Sequence, residues 1–255
     1  MDDLPLIGIV GGVGPFAGLD LQQKLAQETL AGRDQDHLAV LSLSAPAPIP
    51  DRTAYLLGEV ATNPGGPLAD QLLLLERAGA CVAGIPCNTA HAPAIWDVIQ
   101  ARLRAAGSRL RLLHMMQEVA CFLQAHAPGV TRVGLLATTG TARAGIYPAA
   151  LAPAGYSVLL PDDDMQTRLV HTAVYAPDDG IKARGAATPR ARADLLTAAA
   201  ALQAQGAQAI ILGCTEIPLA LPERTLDGLP LIDATRVLAR ALIRAVDAAK
   251  LRPYS

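Results

Sequence analysis

The sequence predicts an α/β protein with two similar, doubly wound lobes, each built on a mainly parallel sheet. Short apolar runs of strand length alternate with longer segments of helical periodicity, a pattern typical of parallel sheets covered by helices on both faces. The alternation also begins again halfway along the chain. The strand-like run at Ile7 recurs at Val133, 126 residues later, and Cys87 recurs as Cys214, 127 residues later. This repeat predicts lobes related by pseudo-symmetry.

The predicted division of the chain follows the repeat. Residues 1–115 form the first lobe together with residues 230–255, which supply its closing C-terminal helix, and residues 116–229 form the second lobe. Ligands of open α/β sheets bind beyond the carboxyl ends of the strands. If the lobes face each other, the active site lies in the cleft between them and both cysteines line it.

The composition argues against several classes of partner. Hydrophobic residues make up 51% of the chain and charged residues 17%, which is typical of a compact globular protein. A net charge of −2 and an aromatic content of 3% argue against a nucleic acid and against an anionic membrane surface. Each apolar run is interrupted by Gly, Pro or a charged residue before it reaches the length of a membrane span.

The cysteines and the first residues bear on location. Four cysteines are scattered without the spacing of a zinc site or a disulfide framework, which favours reduced thiols in a cytoplasm. The chain begins Met-Asp-Asp-Leu-Pro, without a positively charged region, so no secretory signal is expected. These features predict a cytoplasmic protein without a bound metal.

The first half begins with a strand, a glycine turn and a helix. Residues 6–10 are apolar and run into Gly-Gly-Val-Gly-Pro at 11–15, and Pro15 suits the first turn of a helix over 16–30. Further apolar runs bounded by Gly or Pro predict strands, and leucines at helical spacing predict helices. These elements are a strand at 38–43, a proline-rich loop at 45–53, helices at 53–60 and 68–78, a strand at 81–85, a helix at 92–105, a strand at 110–113 and a helix at 115–125.

The glycine turn matches a dinucleotide-binding fingerprint only in part. Gly12, Gly14 and Ala17 have the spacing of the motif, but a Rossmann domain also needs an acid at the end of its second strand to hold the ribose. The second predicted strand ends in Ser42 and Ser44 instead. We therefore disfavour NAD and interpret the glycines as a turn that lets a small anionic ligand approach the backbone.

Arg52 follows a stiff loop that contains three prolines. Two interpretations of this residue are open. It is either a surface charge or a guanidinium fork that binds a carboxylate at the strand ends.

The second half repeats the alternation with its own strands and turns. The run Asp162–Asp164 has no acids or histidines at ligand spacing, so a solvated turn is favoured over a metal site. The predicted elements are a strand at 133–137, a polar turn at 138–141, a helix at 146–151, a strand at 158–160, a loop and helix at 162–174, a break at 178–182, a helix at 190–205, strands at 208–212 and 230–232, and a helix at 234–250.

Cys87 and Cys214 each follow an apolar, strand-like run and precede a helix-like segment. Backbone N–H groups and the helix dipole are expected to lower the pKa of a thiol at such a position. Two thiols that face each other suit proton transfer at carbon, because one removes a proton while the other delivers one to the opposite face. Fixed N–H donors would stabilise the carbanion, and no PLP site is evident, so no cofactor is expected.

The two cysteine motifs resemble those of a known family. Pro86-Cys87-Asn88-Thr89-Ala90-His91 and Leu212-Gly213-Cys214-Thr215-Glu216-Ile217 are similar to the paired signatures of the aspartate/glutamate racemase superfamily. The opening at 7–15, the loop at 49–53 and the segment at 180–182 resemble the aspartate racemase branch. Glutamate racemases typically open with Asp-Ser-Gly and carry His where this chain has Glu216.

The resemblance implies cofactor-independent racemisation of aspartate, or of a related acidic amino acid, by two bases in a homodimer. It implies that Cys87 acts on the D form and Cys214 on the L form, and that Arg52 and Lys182 recognise the side-chain carboxylate. The residues implied or predicted to contact the rest of the substrate are Gly11, Gly12, Val13, Asn88, Thr89, Thr138 and Thr215.

Four further residues have roles that the sequence leaves open or assigns to structure. His91 is either a proton relay or a helix-start residue with a satisfied hydrogen bond. Glu216 either orients Cys214 or stabilises the helix that follows. Cys81 and Cys121 are interpreted as structural, buried thiols.

Two departures from the aspartate branch concern the substrate. Val13 stands where Met is usual, and Ser-Ala-Pro-Ala-Pro at 44–48 replaces the usual Ser-Asn-Pro-Gln before the loop. The exact substrate therefore stays open. The alternatives are an isomerase of the maleate isomerase type, which acts on a small dicarboxylate, and a non-catalytic amino-acid-binding protein.

Overall fold

The structure, a computed structural model, describes residues 5–254. The prediction drawn from the first residues falls largely on residues 1–4, which lie outside the described residues. The chain divides into two compact units. The first unit is Met1–Glu118 with Thr235–Ser255, and the second is Val119–Ala234.

Within the described residues, the first unit is built on a four-stranded parallel sheet. Its strands are β1 (Leu6–Gly11), β2 (Ala39–Ser44), β3 (Ala80–Gly84) and β4 (Arg111–Leu112), in the spatial order β2-β1-β3-β4. The register pairs Ile9 of β1 with Gly84 of β3. The carboxyl ends of the two central strands therefore lie side by side.

The described part of the second unit holds a five-stranded sheet with a single antiparallel pair. Its strands are β5 (Arg132–Leu136), β6 (Ser157–Leu159), β7 (Ala209–Leu212), β8 (Thr225–Leu226) and β9 (Leu229–Asp233), in the order β6-β5-β7-β9-β8. Only β8 and β9 are antiparallel, as the two arms of a hairpin. The register pairs Leu136 of β5 with Leu212 of β7, so these central strands also end together.

Helices follow the strands in both units. The α-helices are α1 (Pro15–Glu28), α2 (Arg52–Leu56), α3 (Gly65–Arg77), α4 (Pro93–Ala105), α5 (Met115–His126), α6 (Thr139–Arg143), α7 (Ile146–Leu151), α8 (Asp163–Met165), α9 (Thr172–Tyr175), α10 (Ile181–Arg184), α11 (Pro189–Ala204), α12 (Ile217–Ala220) and α13 (Ala234–Val246). Shorter 3₁₀ segments are Asp34–Asp36, Asn88–His91, Ala152–Ala154 and Ala248–Lys250, and Gln166–His171 is π-helical.

Helices cover both faces of the first sheet. Successive residues of a strand point to opposite faces, whereas residues paired across strands point to the same face. A Cβ on Gly8 would lie 3.3 Å from Leu75 of α3, and a Cβ on Gly84 would lie 3.1 Å from Leu238 of α13. Because Gly84 is paired with Ile9, the neighbour of Gly8, α3 and α13 lie on opposite faces.

The two units share one topology, which confirms the predicted fold class. If the end strand β8 is set aside, the order β6-β5-β7-β9 repeats the order β2-β1-β3-β4. The central strands β1, β3, β5 and β7 are mostly buried, as expected for parallel strands covered by helices on both faces. The chain thus contains the same arrangement of parallel strands twice.

The structure corrects two boundaries. The prediction placed residues 230–255 in the first lobe, but β9 pairs with β7 in the second sheet, and the unit boundary falls before Thr235. The physical reason is that β9 extends the parallel ladder before the closing helix begins. The predicted polar turn at 138–141 is also partly helical, because α6 begins at Thr139.

Glu28 anchors the end of α1 in the first unit. It is 2% exposed, and its two carboxylate oxygens each lie 2.5 Å from an arginine of α13, Arg236 and Arg240. Arg240 also donates to the backbone oxygen of Arg252 at 2.9 Å. Burial raises the pKa of Glu28, but the hydrogen bonds and charges of the two arginines outweigh burial, so the pKa is lowered overall.

Replacement of Glu28 by Gln is expected to reduce the free energy of unfolding by about 3 kcal/mol, because it leaves a buried arginine without its counter-charge. Asp164→Asn is the control, because Asp164 pairs with Arg168 at the surface and should cost less than about 1 kcal/mol. Urea unfolding measures both. Equal losses in the two variants would contradict a special role for the buried pair.

The same variant tests a pH dependence with a definite sign. A carboxylate with a lowered folded-state pKa contributes stability above its unfolded value, near 4.5, and loses it as the pH falls through the folded value. The difference between the native protein and Glu28→Gln should therefore shrink as the pH is lowered below that point.

Candidate active site

β1 ends in a glycine turn that is pressed against the loop after β2. Gly12 has a φ of 79°, in the left-handed region that favours glycine. A Cβ at this position would lie 2.9 Å from the backbone nitrogen of Pro46. Val13 is buried, and Pro15 is the first residue of α1, as predicted. Only glycine therefore fits at the centre of this turn.

Arg52 is tied to the same turn. The residue is 8% exposed, which excludes the interpretation as a surface charge. Its Nη2 donates to the backbone oxygen of Val13 at 3.2 Å, and its Nη1 donates to that of Pro50 at 3.4 Å. Asp51 caps α2 by accepting a hydrogen bond from the nitrogen of Ala54. The first unit thus holds a buried guanidinium beside the glycine turn.

Cys87 lies three residues beyond β3, at the carboxyl edge of the sheet. It is 6% exposed and packs in the apolar core of the first unit. Its backbone oxygen accepts from the nitrogen of Ala90 at 3.2 Å. Asn88 and Thr89 are also buried in the 3₁₀ turn that follows. Cys87 therefore lies at the carboxyl edge of the first sheet, in a turn whose backbone is fixed by hydrogen bonds between residues close in sequence.

His91 reinforces this turn through the main chain. Its Nδ1 lies 2.9 Å from the backbone oxygen of Cys87, and because a carbonyl can only accept, Nδ1 carries the hydrogen. The ring stacks on Trp96 at 4.9 Å and meets His114 edge-on at the same centroid distance. Burial, followed by the nearby charge of His114, lowers the pKa of His91 to about 3. The imidazole is therefore neutral near pH 7.

Cys214 occupies the corresponding position in the second unit, two residues beyond β7. The nitrogen of Gly213 donates to the oxygen of Leu136 at 2.7 Å, which extends the pairing of β7 with β5 up to the thiol. Cys214 is 6% exposed, and its Sγ donates to Oε2 of Glu216 at 3.0 Å. Thr215 donates to the same oxygen at 3.2 Å.

The pKa of Cys214 is raised well above its ordinary value, so the prediction that the helix dipole lowers it is wrong for this thiol. Burial is the largest cause, and the negative charge of Glu216 adds to it, whereas the positive charge of Lys182 acts in the opposite direction. The helix that follows, α12, has four residues and supplies little dipole. Desolvation and the adjacent carboxylate therefore decide the protonation of this thiol.

Lys182 completes the polar cluster from α10. Its Nζ lies 3.8 Å from Oε1 of Glu216, 3.3 Å from the hydroxyl of Tyr175 and 4.6 Å from the centre of the tyrosine ring. The Tyr175 ring stacks on His171 at 4.8 Å, and Nδ1 of His171 accepts from the nitrogen of Thr139 at 3.5 Å. Lys182 is thus held between an aromatic ring and a carboxylate of the protein itself.

Tyr147 packs against Gly213, the residue before Cys214. It is completely buried, and its ring would lie 3.1 Å from a Cβ placed on Gly213. Burial is the largest cause that raises the pKa of Tyr147, and the nearby charge of Asp233 adds to it. The phenol therefore stays protonated at neutral pH.

The structure gathers most of the predicted site residues into two groups, each within one unit. The first unit brings Arg52 to the glycine turn at Val13 and sets His91 against the backbone of Cys87. The second brings together Cys214, Thr215, Glu216 and Lys182. Thr138 is buried at the start of α6, with its hydroxyl 3.4 Å from that of Thr141.

Three residues around Cys214 were not predicted: Tyr147, Tyr175 and His171. Their signal in the sequence is weak, because a tyrosine or histidine in a helix looks the same whether it packs in a core or against a lysine. Scarcity of aromatic residues, at 3% of the chain, is the feature that could have drawn attention to them.

The two remaining cysteines differ from the prediction. Cys81 and Cys121 were interpreted as buried structural thiols, but both are exposed. Cys81 lies in β3, with its Sγ 3.6 Å from the oxygen of Leu6. Cys81 is exposed because it is the second residue of β3, before the continuous buried run of the strand. Cys121 is exposed because it shares one face of α5 with Gln117 and Gln124.

Asp162 serves as a helix cap. Its Oδ1 accepts from the nitrogen of Met165 at 2.8 Å at the start of α8. Among residues 5–254, we find no cluster of three or more Cys, His, Asp or Glu side chains arranged to hold a metal ion. None of the helices in this part of the chain is both long and apolar enough to cross a membrane.

These features define a class: an α/β protein with two sheets of matching strand order, each with a buried cysteine just beyond the carboxyl end of a central strand. The sequence profile of the family described as Asp/Glu/hydantoin racemase matches residues 10–242. The chain therefore belongs to the Asp/Glu/hydantoin racemase family. The predicted superfamily is confirmed, and the enzymes for which the family is named are isomerases.

One relative matches part of the chain. The chain is 40% identical over 106 residues to an uncharacterized protein in the pnlA 3′ region of Pectobacterium carotovorum subsp. carotovorum. That match covers 42% of this chain and 65% of the relative, so it spans less than two thirds of the relative's length.

Two solved structures resemble the whole chain. Picrophilus torridus aspartate racemase is 27% identical with a TM-score of 0.78, and the match covers 95% of this chain and 94% of the other. An aspartate racemase homologue from Pyrococcus horikoshii OT3 is 22% identical with a TM-score of 0.69, over 95% and 99% of the two chains. The first match supports the aspartate racemase branch, and the second shows the shared fold.

Gly12→Ala is expected to reduce the free energy of unfolding by more than Gly58→Ala does. Both glycines have a φ of 79°, so both alanines incur a conformational cost of about 1–2 kcal/mol. Only Gly12 faces backbone atoms at a distance that forces the loop after β2 to move, because a Cβ on Gly58 would meet nothing within 4 Å. Urea unfolding compares the two, and equal losses would show that the loop yields freely.

Proposed function

We propose that this protein is a cofactor-independent racemase of aspartate, or of a related acidic amino acid, with Cys87 and Cys214 as its two bases. The observation that carries the proposal is the recurrence of a buried cysteine just past β3 and just past β7, corresponding strands of two matching sheets. Membership of a racemase family and likeness to the Picrophilus enzyme support the same reaction.

Two cysteines serve this reaction because inversion at carbon needs a base on one face and an acid on the other. One thiolate removes the Cα proton, and the opposite thiol returns a proton to the other face. General acid–base groups of this kind contribute about 10²–10⁴-fold each to a rate. The mechanism requires both sulfurs to reach one α-carbon from opposite sides.

The preference for an acidic substrate rests on the cations. Arg52 is buried beside the glycine turn, and a guanidinium offers a planar fork that suits a carboxylate. Lys182 supplies a second positive charge near Cys214 but already faces Glu216. We therefore assign recognition of the substrate's side-chain carboxylate mainly to Arg52. Contacts to the α-carboxylate and amino group are assigned to the buried polar residues beside the thiols: Asn88, Thr89, Thr138 and Thr215.

The decisive test is proton exchange and inversion in deuterated water without PLP. The native protein should convert L- and D-aspartate into each other and place deuterium at Cα. Cys87→Ala and Cys214→Ala should each lose racemisation by roughly 10²–10⁴-fold, because each removes one of two required proton-transfer groups. Chiral chromatography and mass spectrometry measure the products. Cys81→Ala and Cys121→Ala are matched controls at exposed cysteines and should keep full activity.

Two outcomes would overturn the proposal in different ways. Full racemisation by either Cys87→Ala or Cys214→Ala would refute the two-base assignment. Absence of turnover and of Cα exchange with every acidic amino acid tested would leave the maleate isomerase type or a binding protein as the better description. Assays with maleate and ligand titrations then separate those two.

A further inference from the structure

The two proposed bases have different surroundings within their own units. Among the described residues, the polar contacts of Cys87 run through its main chain, to Ile85, Ala90 and His91. The Sγ of Cys214 is instead bonded to Glu216 at 3.0 Å. Matching positions in two matching sheets thus carry thiols with unlike partners.

Glu216 is held in place from two sides. Thr215 donates to Oε2, the oxygen that also accepts from Cys214, and Lys182 lies 3.8 Å from Oε1. Glu216 is 4% exposed, so water contributes little to the solvation of its carboxylate. The Oε2 atom of Glu216 therefore acts as the acceptor toward the thiol.

We infer that Glu216 is a positioning residue that keeps Cys214 in the thiol form, so that Cys214 is the proton donor of the pair in the resting enzyme. The inference rests on the proposed function and deepens it, because it assigns unequal starting roles to the two cysteines. It stands on the contact between Sγ and Oε2 and on the burial of both side chains.

The net effect of the charges around Cys214 favours the neutral thiol over the thiolate. A thiolate here would lie beside the negative charge of Glu216, and two negative charges at this distance repel each other strongly in a buried site. Tyr147 packs against Gly213, and Asp233 lies near Tyr147. A phenol and a carboxyl group supply no positive charge that would favour a thiolate. The positive charge of Lys182 lowers the pKa of Cys214, but it does not outweigh burial and the charge of Glu216, which raise it.

The proton balance of one turnover follows. The Cys87 thiolate takes the Cα proton, and the electron pair remains on carbon beside the carboxylate. Cys214 then gives its S–H proton to the opposite face, so a C–H bond forms and the negative charge moves to Cys214. The thiolate now lies beside Glu216. A turnover in the reverse direction reverses both transfers and restores the resting form. Exchange with water does the same when Cys87 releases its new proton and Cys214 takes one up.

Alkylation of each thiol as a function of pH tests the inference without any substrate. Iodoacetamide reacts with the thiolate, and mass spectrometry resolves the rate at Cys214 from that at Cys87. Glu216→Gln removes the charge and nearly preserves the shape, so the Cys214 profile should move to lower pH and its rate at pH 7 should rise roughly tenfold. Lys182→Met should move the profile to higher pH. The Cys87 profile should move in neither variant.

Matched variants separate charge from disruption. Glu223→Gln removes another glutamate of the second unit, one that pairs with Arg192 at 2.5 Å, and should leave both profiles in place. Glu216→Asp keeps the charge and should restore much of the slow alkylation at Cys214. Circular dichroism confirms that each variant is folded. An unchanged Cys214 profile in folded Glu216→Gln, or an equal shift at Cys87, would overturn the inference.

A one-base reaction connects this result to catalysis. Removal of the Cα proton from 3-chloroaspartate expels chloride, breaks the C–Cl bond and forms an enamine, so it needs only one thiolate. Elimination is measured for each enantiomer of 3-chloroaspartate. The enantiomer that Cys214→Ala no longer converts is the one from which the Cys214 thiolate removes the proton. In Glu216→Gln the pH profile for this enantiomer should move to lower pH, and that for the other enantiomer should not.

The two proposals fail in distinguishable ways. If the alkylation profile of Cys214 moves as expected but the native protein neither racemises nor eliminates, the role of Glu216 stands and the proposed reaction falls. If racemisation needs both cysteines but Glu216→Gln leaves both elimination profiles unchanged, the proposed reaction stands and the role of Glu216 falls.

Discussion

Parallel pairing of β1 with β3, and of β5 with β7, is the constraint on which both halves of the candidate site depend. Strands that run in the same direction end at the same edge, so the residues just beyond them emerge side by side. In the first unit this places the glycine turn beside the segment that carries Cys87. In the second it places Thr138 beside Cys214. Since side chains alternate between faces, a slip of one residue in either register would turn the edge residues to the wrong side.

Much of the fold could be predicted because its signals are local. The apolar runs that became β1, β3 and β7 are bounded by Gly or Pro, and Pro15 marks the start of α1 within the sequence itself. The placement of β9 was missed because the sequence of an apolar strand does not indicate which strand it pairs with. Its pairing with β7 depends on contacts far apart in the chain, and so does the division between the units.

In the candidate site, too, features of the local sequence could be predicted, whereas features that depend on the folded structure could not. The cysteine motifs and the repeat were sufficient to select Cys87, Cys214 and their neighbours. The protonation of Cys214 could not be predicted, because its sign depends on how completely the thiol is buried and on where the Glu216 carboxylate points. Lys182 illustrates a further limit: its charge was recognised, but its position over Tyr175 was not.

The hydrogen bond between Cys214 and Glu216 makes the two thiols unequal, but thermodynamics limits what unequal thiols can do in a racemase. Mirror-image amino acids have equal free energies in water, so their equilibrium constant is unity and kcat/KM must be the same in the two directions. Unequal thiols therefore cannot enrich either enantiomer at equilibrium. They can make kcat differ between the two enantiomers only if KM differs by the same factor. The enantiomer with the lower KM is then also turned over more slowly. Net flux then follows the supply and removal of the two enantiomers.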